Sequence, residues 1–211
     1  MSTHDRLLNK DFVLLWQGQT VSGVGTSLFQ IAILYWLMDA TGSATVMGVV
    51  SMLGALPGVI LGPFGGAIAD RFSRKRLIVI GDLILGVAML SLAVPFFLLT
   101  GQLELKIFWI VIVSMLVGIV QAFFRPAVTA SIPSIVPLSR LNGANALTSL
   151  GMTASMSLGQ AMGGVLYRVL GAPVLILANG ISYLLSALSE MFITIPQEKP
   201  ESPSSGPALA R

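Results

Sequence analysis

The sequence predicts an all-α polytopic membrane protein with six transmembrane helices, and three observations carry that prediction. First, hydrophobic residues make up 55% of the 211-residue chain and charged residues 10%, against about 25% in soluble domains. Mean hydropathy is +0.87. Second, long stretches are free of charge: Asp82 alone interrupts the run between Arg76 and Glu104, and none occurs from Leu141 to Tyr167 or from Val169 to Ser189. Third, the bases gather in alternate connections. Most of the twenty-two glycines and seven of the eleven prolines lie in or between apolar runs, so the low charge is not that of a disordered chain.

The opening MSTHDRLLNKD carries two acids and no compact apolar core ending in a cleavage site. No cleaved signal peptide is expected, and the first apolar segment should remain as an anchor. A helix needs about 20 apolar residues to cross a hydrocarbon core of about 30 Å. Six stretches meet this: Phe12 to Leu37, Thr45 to Ala69, Leu77 to Thr100, Ile107 to Val128, Ala144 to Tyr167 and Pro173 to Ile195. Strands of a membrane barrel would alternate in polarity, whereas these runs are continuous, so helices that satisfy their own backbone are expected. The closing PQEKPESPSSGPALAR is polar and rich in Pro and Ser, and reads as a flexible linker to a second module that has been lost or is encoded elsewhere. The organisation expected is a tail over 1–11, a membrane domain over 12–195 and a linker over 196–211.

Arg6, Lys10, Arg71, Arg74, Lys75, Arg76, Arg140, Lys199 and Arg211 fall on one side of this topology, with Arg125 near it, and only Lys106 and Arg168 on the other. Basic loops stay cytoplasmic, which places both termini in the cytoplasm of a bacterial-type plasma membrane. The net charge of +3 is not gathered in one exposed stripe, so a nucleic-acid partner is not expected. With no cysteine and His4 as the sole histidine, neither metal site nor cofactor is expected. A serine nucleophile with an intramembrane base, a phosphate-binding Gly-x-x-x-x-Gly-Lys-Ser/Thr loop and a His-Glu-x-x-His helix are all missing, so an enzyme is not expected.

The second span places Gly54, Gly58, Gly62 and Gly66 at intervals of four, and the fifth repeats the spacing with Gly151, Ser155, Gly159 and Gly163. Small residues at this spacing let helices approach closely in lipid, as plain packing or as part of transport. The two stripes are offset by 97 residues, and the same offset carries Asp82 onto Asn179. Two three-helix repeats are therefore expected, inverted because three is odd.

Polar residues also align. Gln19, Ser22, Thr26 and Gln30 recur at i, i+3, i+7 and i+11 in the first span, and Ser114, Gly118, Gln121 and Arg125 at i, i+4, i+7 and i+11 in the fourth. Amides facing lipid would lack partners, so both faces are expected to look inward, toward either a water-filled substrate cavity or interhelical hydrogen bonds. Arg125 either joins that face or snorkels to headgroups. Asp82 needs a partner or water; Arg71, Arg74 and Arg125 are the candidates, with a coupling or charge-relay role open. Asp39 and Glu190, at span ends, are expected to be solvated.

Between spans two and three stands Gly66-Ala67-Ile68-Ala69-Asp70-Arg71-Phe72-Ser73-Arg74-Lys75-Arg76. This resembles the G-x-x-x-D-R-x-G-R-R/K signature of the major facilitator superfamily, with Gly66, Asp70, Arg71, Arg74 and Lys75 matching and Ser73 in place of glycine. Phe123 to Ala127, with the Ile132-Pro133, Val136-Pro137 and Leu141 to Leu147 stretches, resembles its macrolide-efflux or drug-export branch. The resemblance implies half of a twelve-helix fold that rocks around a central cavity. It also implies that Asp70 and Arg71 make charge contacts at the cytoplasmic gate, and that helices one and four line the cavity. Two departures follow: Ser114 stands where proton-coupled exporters often carry arginine, and Gly159 to Gly164 lacks the proline of G-P-x-x-G-G.

The function expected is therefore the amino-terminal half of a secondary-active exporter of small amphipathic molecules, completed by a carboxy-terminal half. A half-sized carrier working as a homodimer and a non-transporting membrane scaffold are the alternatives. The expected partners are the bilayer, a small-molecule substrate and either the second half or a second copy.

Overall fold

A computed structural model describes residues 7–99 and 101–196. The first six residues of the expected tail and residues 197–211 of the expected linker lie outside the described residues. Among the described residues every long element is helical: α1 (Lys10–Thr41), α2 (Ala44–Arg71), α3 (Arg74–Leu98), α4 (Leu103–Ile135) and α5 (Leu141–Glu190), with a 3-10 turn at Leu138–Arg140. All five are long and apolar enough to cross a membrane.

Local chemistry sets the boundaries. Asn9 caps α1 by accepting from the Phe12 N–H at 2.9 Å, and its amide donates to the Ile135 carbonyl at 2.6 Å, joining the start of α1 to the end of α4. Gly42, at φ 64°, closes α1. Ser43 caps α2 through the Val46 N–H, and Ser73 caps α3 through the Arg76 N–H. Only Phe72 and Ser73 separate α2 from α3, so the two run antiparallel.

The fifth helix has 50 residues, and a straight helix of that length would extend about 75 Å, more than twice the hydrocarbon thickness. It is not straight. Gly171 has φ 77° and ψ 163°, a conformation that glycine takes without strain, and Pro173 follows with the φ that suits a new first turn. Before the break, Gly151 meets Thr20, Gly159 meets Ser27 and Gly163 meets Ile31; after it, Asn179 and Ser182 meet Gly25, and Ser186 meets Gly18. The first segment thus ascends α1 and the second descends it. The second segment ends at Glu190, short of the expected Ile195: Thr194 donates from its N–H to Asp11 and Ile193 is buried against the α1–α4 end of the bundle.

Two apolar clusters hold the bundle. Phe12, Leu15, Ile78, Phe124 and Ile132 fill the end carrying the 70–76 connection, and Phe29, Leu37, Leu85, Met89 and Ile176 fill the other. Large apolar residues cover the outside, including Val59, Phe64, Val87 and Val169, all more than 60% exposed. Such a surface suits lipid, not water.

The glycine stripes differ in use. Gly151, Ser155, Gly159 and Gly163 are all buried, with the Ser155 hydroxyl donating to the Thr20 carbonyl at 3.0 Å. On α2, Gly54 packs on Ser114 and Gly58 on Gly118, while Gly62 and Gly66 face open space. Four-residue steps rotate about 40° around a helix, so a stripe leaves a partner that does not follow its twist. Gly65 takes the third contact on α2 instead. It closes on the Ala122 carbonyl, which Pro126 has deprived of its helical donor.

Candidate functional site

A cavity of about 460 Å³ lies between α1, α4 and both segments of α5. From α1 it receives Gln19, Ser22, Thr26 and Gln30, all four members of that polar stripe; from α4 it receives Gln121 and Arg125. Ser114 is not among its lining residues. It shares a helical face with Gln121 but stands about 10 Å further along the α4 axis, where α4 closes on α2 and its side chain lies against Gly54. That expectation is therefore corrected.

The walls are apolar, built from Trp16, Phe124, Met152 and Met156. Polar groups are fixed unevenly. Thr26 shares a 2.7 Å hydrogen bond with the Tyr183 hydroxyl, and its own hydroxyl also donates to the Ser22 carbonyl. Trp16 is oriented by its indole N–H donating to the Leu147 carbonyl at 2.9 Å. Gln30 and Arg125 are exposed, and Arg125 takes part in no ion pair among the described residues. Chemically, the cavity offers aromatic and thioether surface, amides able to donate and accept, and one cation.

The second constellation sits at the end of α2. Arg74, in the first turn of α3, approaches the Asp70 carboxylate at 3.4 Å and donates to the Ala130 carbonyl at 2.9 Å and the Ser134 hydroxyl at 3.2 Å. It therefore ties the α2–α3 connection to the last turns of α4. Asp70 itself is 71% exposed, Gly66 and Arg71 are exposed and Lys75 is half-buried. Ser73, at the glycine position of the signature, serves as the α3 cap.

Asp82 departs from expectation in its neighbours. None of Arg71, Arg74 and Arg125 pairs with it; it is fully buried and faces Ser186 and Glu190 of α5. Glu190, expected to be solvated, is 1% exposed and accepts from the Gln19 amide at 2.8 Å. Asn179, the repeat counterpart of Asp82, is also fully buried, with neither amide atom hydrogen-bonded. A signal for this cluster was present: Asn179, Ser182, Ser186 and Glu190 stand at i, i+3, i+7 and i+11, the spacing of the α1 stripe. The grouping of three or more metal-ligating side chains does not occur among the described residues.

Comparison with known proteins gives the family. The sequence profile described as the Major Facilitator Superfamily matches residues 15–210. Macrolide efflux protein A of Streptococcus pyogenes is 30% identical over 186 residues, covering 88% of this chain and 45% of that protein. Macrolide efflux protein A of Enterococcus faecalis is 28% identical over 156 residues, covering 74% and 47%. The multi-drug resistance efflux pump PmrA of Streptococcus pneumoniae is 27% identical over 186 residues, covering 85% and 44%. The chain spans less than half the length of these relatives.

Proposed function

Because the chain belongs to the major facilitator superfamily, we propose that it forms a six-crossing half of a secondary-active exporter of small amphipathic molecules, working by alternating access. The observation that carries this reading is the cavity: polar side chains from α1 and α4 converge on it between aromatic and methionine walls. Such a surface holds apolar skeletons by burial and orients a few polar groups by hydrogen bonds. The names of the relatives, macrolide efflux and multi-drug efflux, support the amphipathic class.

In this reading the break at Gly171 separates spans five and six. Support for two inverted repeats comes from packing: α2 runs parallel to α4 through Gly54 and Gly58, and residues 151–163 run parallel to α1, the same relation with the halves exchanged. In this reading the end carrying the 70–76 connection and both termini lie in the cytoplasm of a plasma membrane, which the basic charge of that connection supports. Asp70 and Arg71, exposed there, are available to a second six-helix unit and act as the gate, with Arg74 holding the connection, Lys75 adding positive charge beside it and Gly66 leaving room for an approaching helix.

The partner is a carboxy-terminal half. A second copy is the other reading, favoured by the uncovered small-residue faces of α2 at Gly62 and Gly66 and of α5 at Ala146, Thr153 and Ala154. Accumulation of a fluorescent amphipathic dye tests both. Cells carrying the chain joined to a relative's carboxy-terminal half should accumulate less dye than cells carrying either half alone. Export by the chain alone, with a crosslinked dimer in the membrane, establishes the homodimer instead; no export in either arrangement, at normal abundance, leaves a scaffold.

A further inference from the structure

Two carboxyl groups lie buried side by side between α1, α3 and α5, behind the cavity wall. Asp82 is fully buried and Glu190 is 1% exposed. Both Asp82 oxygens and Glu190 Oε2 lack hydrogen-bond partners, while Glu190 Oε1 accepts from Gln19 Nε2. Ser186, one turn before Glu190, faces both carboxyls with a hydroxyl that is itself buried and unpartnered.

Among the described residues no cation pairs with either carboxyl. On α1 the facing groups are Gln19 and Gly18, and Asp11 lies further along, occupied by the Thr194 N–H. On α4 the charged neighbour is Arg125, which approaches Tyr183 of α5 and opens to the cavity. Tyr183 shares its hydroxyl with Thr26. On α3 itself, Arg74, Lys75 and Arg76 begin the helix, about 9 to 12 Å from Asp82 along its axis. The ion pair formed among the described residues is that of Asp70 with Arg74.

Two ionised carboxylates in contact, each stripped of water, cost several kcal/mol per ion and repel each other as well. One proton removes a charge and turns an acceptor into a donor, so that the carboxylic acid bonds the neighbouring carboxylate and Ser186 fills a remaining lone pair. The proton then belongs to the pair, not to either residue.

We propose that Asp82 and Glu190 bind one exchangeable proton between them, forming a proton site distinct from the cavity and joined to it through Gln19. Gln19 lines the cavity and donates to Glu190, so a ligand that draws its amide away removes one hydrogen bond from Glu190 and alters the pair's hold on the proton. That last link rests on the cavity being a substrate site; the proton site does not.

Infrared difference spectra of the full chain in lipid nanodiscs, taken between alkaline and acidic buffer without substrate, read the proton directly and independently of export. The parent should show a protonated-carboxyl band that shifts in heavy water and is lost in the Asp82→Asn/Glu190→Gln double variant. Gln19→Leu should keep the band and move its frequency. If the double variant does not fold, Glu190→Gln alone should shift the band, since Asp82 then has no carboxylate to bond. A band unchanged by these acid substitutions overturns the proposal. So does a response of the parent's carboxylate bands to sodium in place of acid, which would assign the pair to a metal cation.

Discussion

Gly65 and Gly62 stand three residues apart on α2, and the structure asks opposite things of them. A side chain at Gly65 would collide with the Ala122 carbonyl, whereas one at Gly62 would meet nothing within 4 Å. Gly65→Val should therefore destabilise the chain by about 1 to 3 kcal/mol through overpacking, with Gly62→Val near neutral, as thermal unfolding in detergent will measure. Arg74 and Asp70 divide in the same way. Arg74 donates to the Ala130 carbonyl and the Ser134 hydroxyl, while Asp70 contributes an exposed contact of little energetic weight. Arg74→Ala should lower both membrane abundance and dye export. Asp70→Asn should lower export alone, as the proposed gating role requires. Equal abundance and equal export in both variants would remove that distinction. At this scale the sequence was partly legible. The i, i+3, i+7, i+11 spacing identified the α1 residues that reach the cavity, but periodicity does not say which neighbour a face meets, and Ser114 turned to Gly54.

Helices carry the next level. The Gly171-Ala172-Pro173 sequence splits α5 because glycine tolerates φ 77° and proline starts the following turn. Gly171→Ala would hold a Cβ in a conformation that costs about 1 to 3 kcal/mol. The variant should unfold at a lower temperature than the parent while Gly42→Asn, at the αL cap of α1, changes little, since asparagine accepts αL. The sequence marks this region by Arg168, the one charge between the charge-free runs Leu141 to Tyr167 and Val169 to Ser189. The burial of Glu190 was not legible. A residue at a span end is ordinarily solvated, and only the chain beyond it, with Ile193 buried and Thr194 bonded to Asp11, folds back and closes that end. Likewise the four-residue stripes were correct as small surfaces on both helices. Their different use depends on the hand of each crossing, which spacing alone does not encode.

For the whole molecule, alternating access in a bilayer requires that the α1 and α4 faces look onto an aqueous cavity and that Val59 and Val87 look onto lipid. The chain contains no cysteine, so single cysteines report without background. Reaction with a membrane-impermeant, water-requiring thiol reagent in intact membranes tests the arrangement most directly. Cysteine at Gln30, Gln121 and Arg125 should react readily, and cysteine at Val59 and Val87 should not. Unreactive cavity positions beside reactive Val59 and Val87 positions would contradict the account, because the polar stripes would then be sealed by packing and the supposed lipid face would be wet.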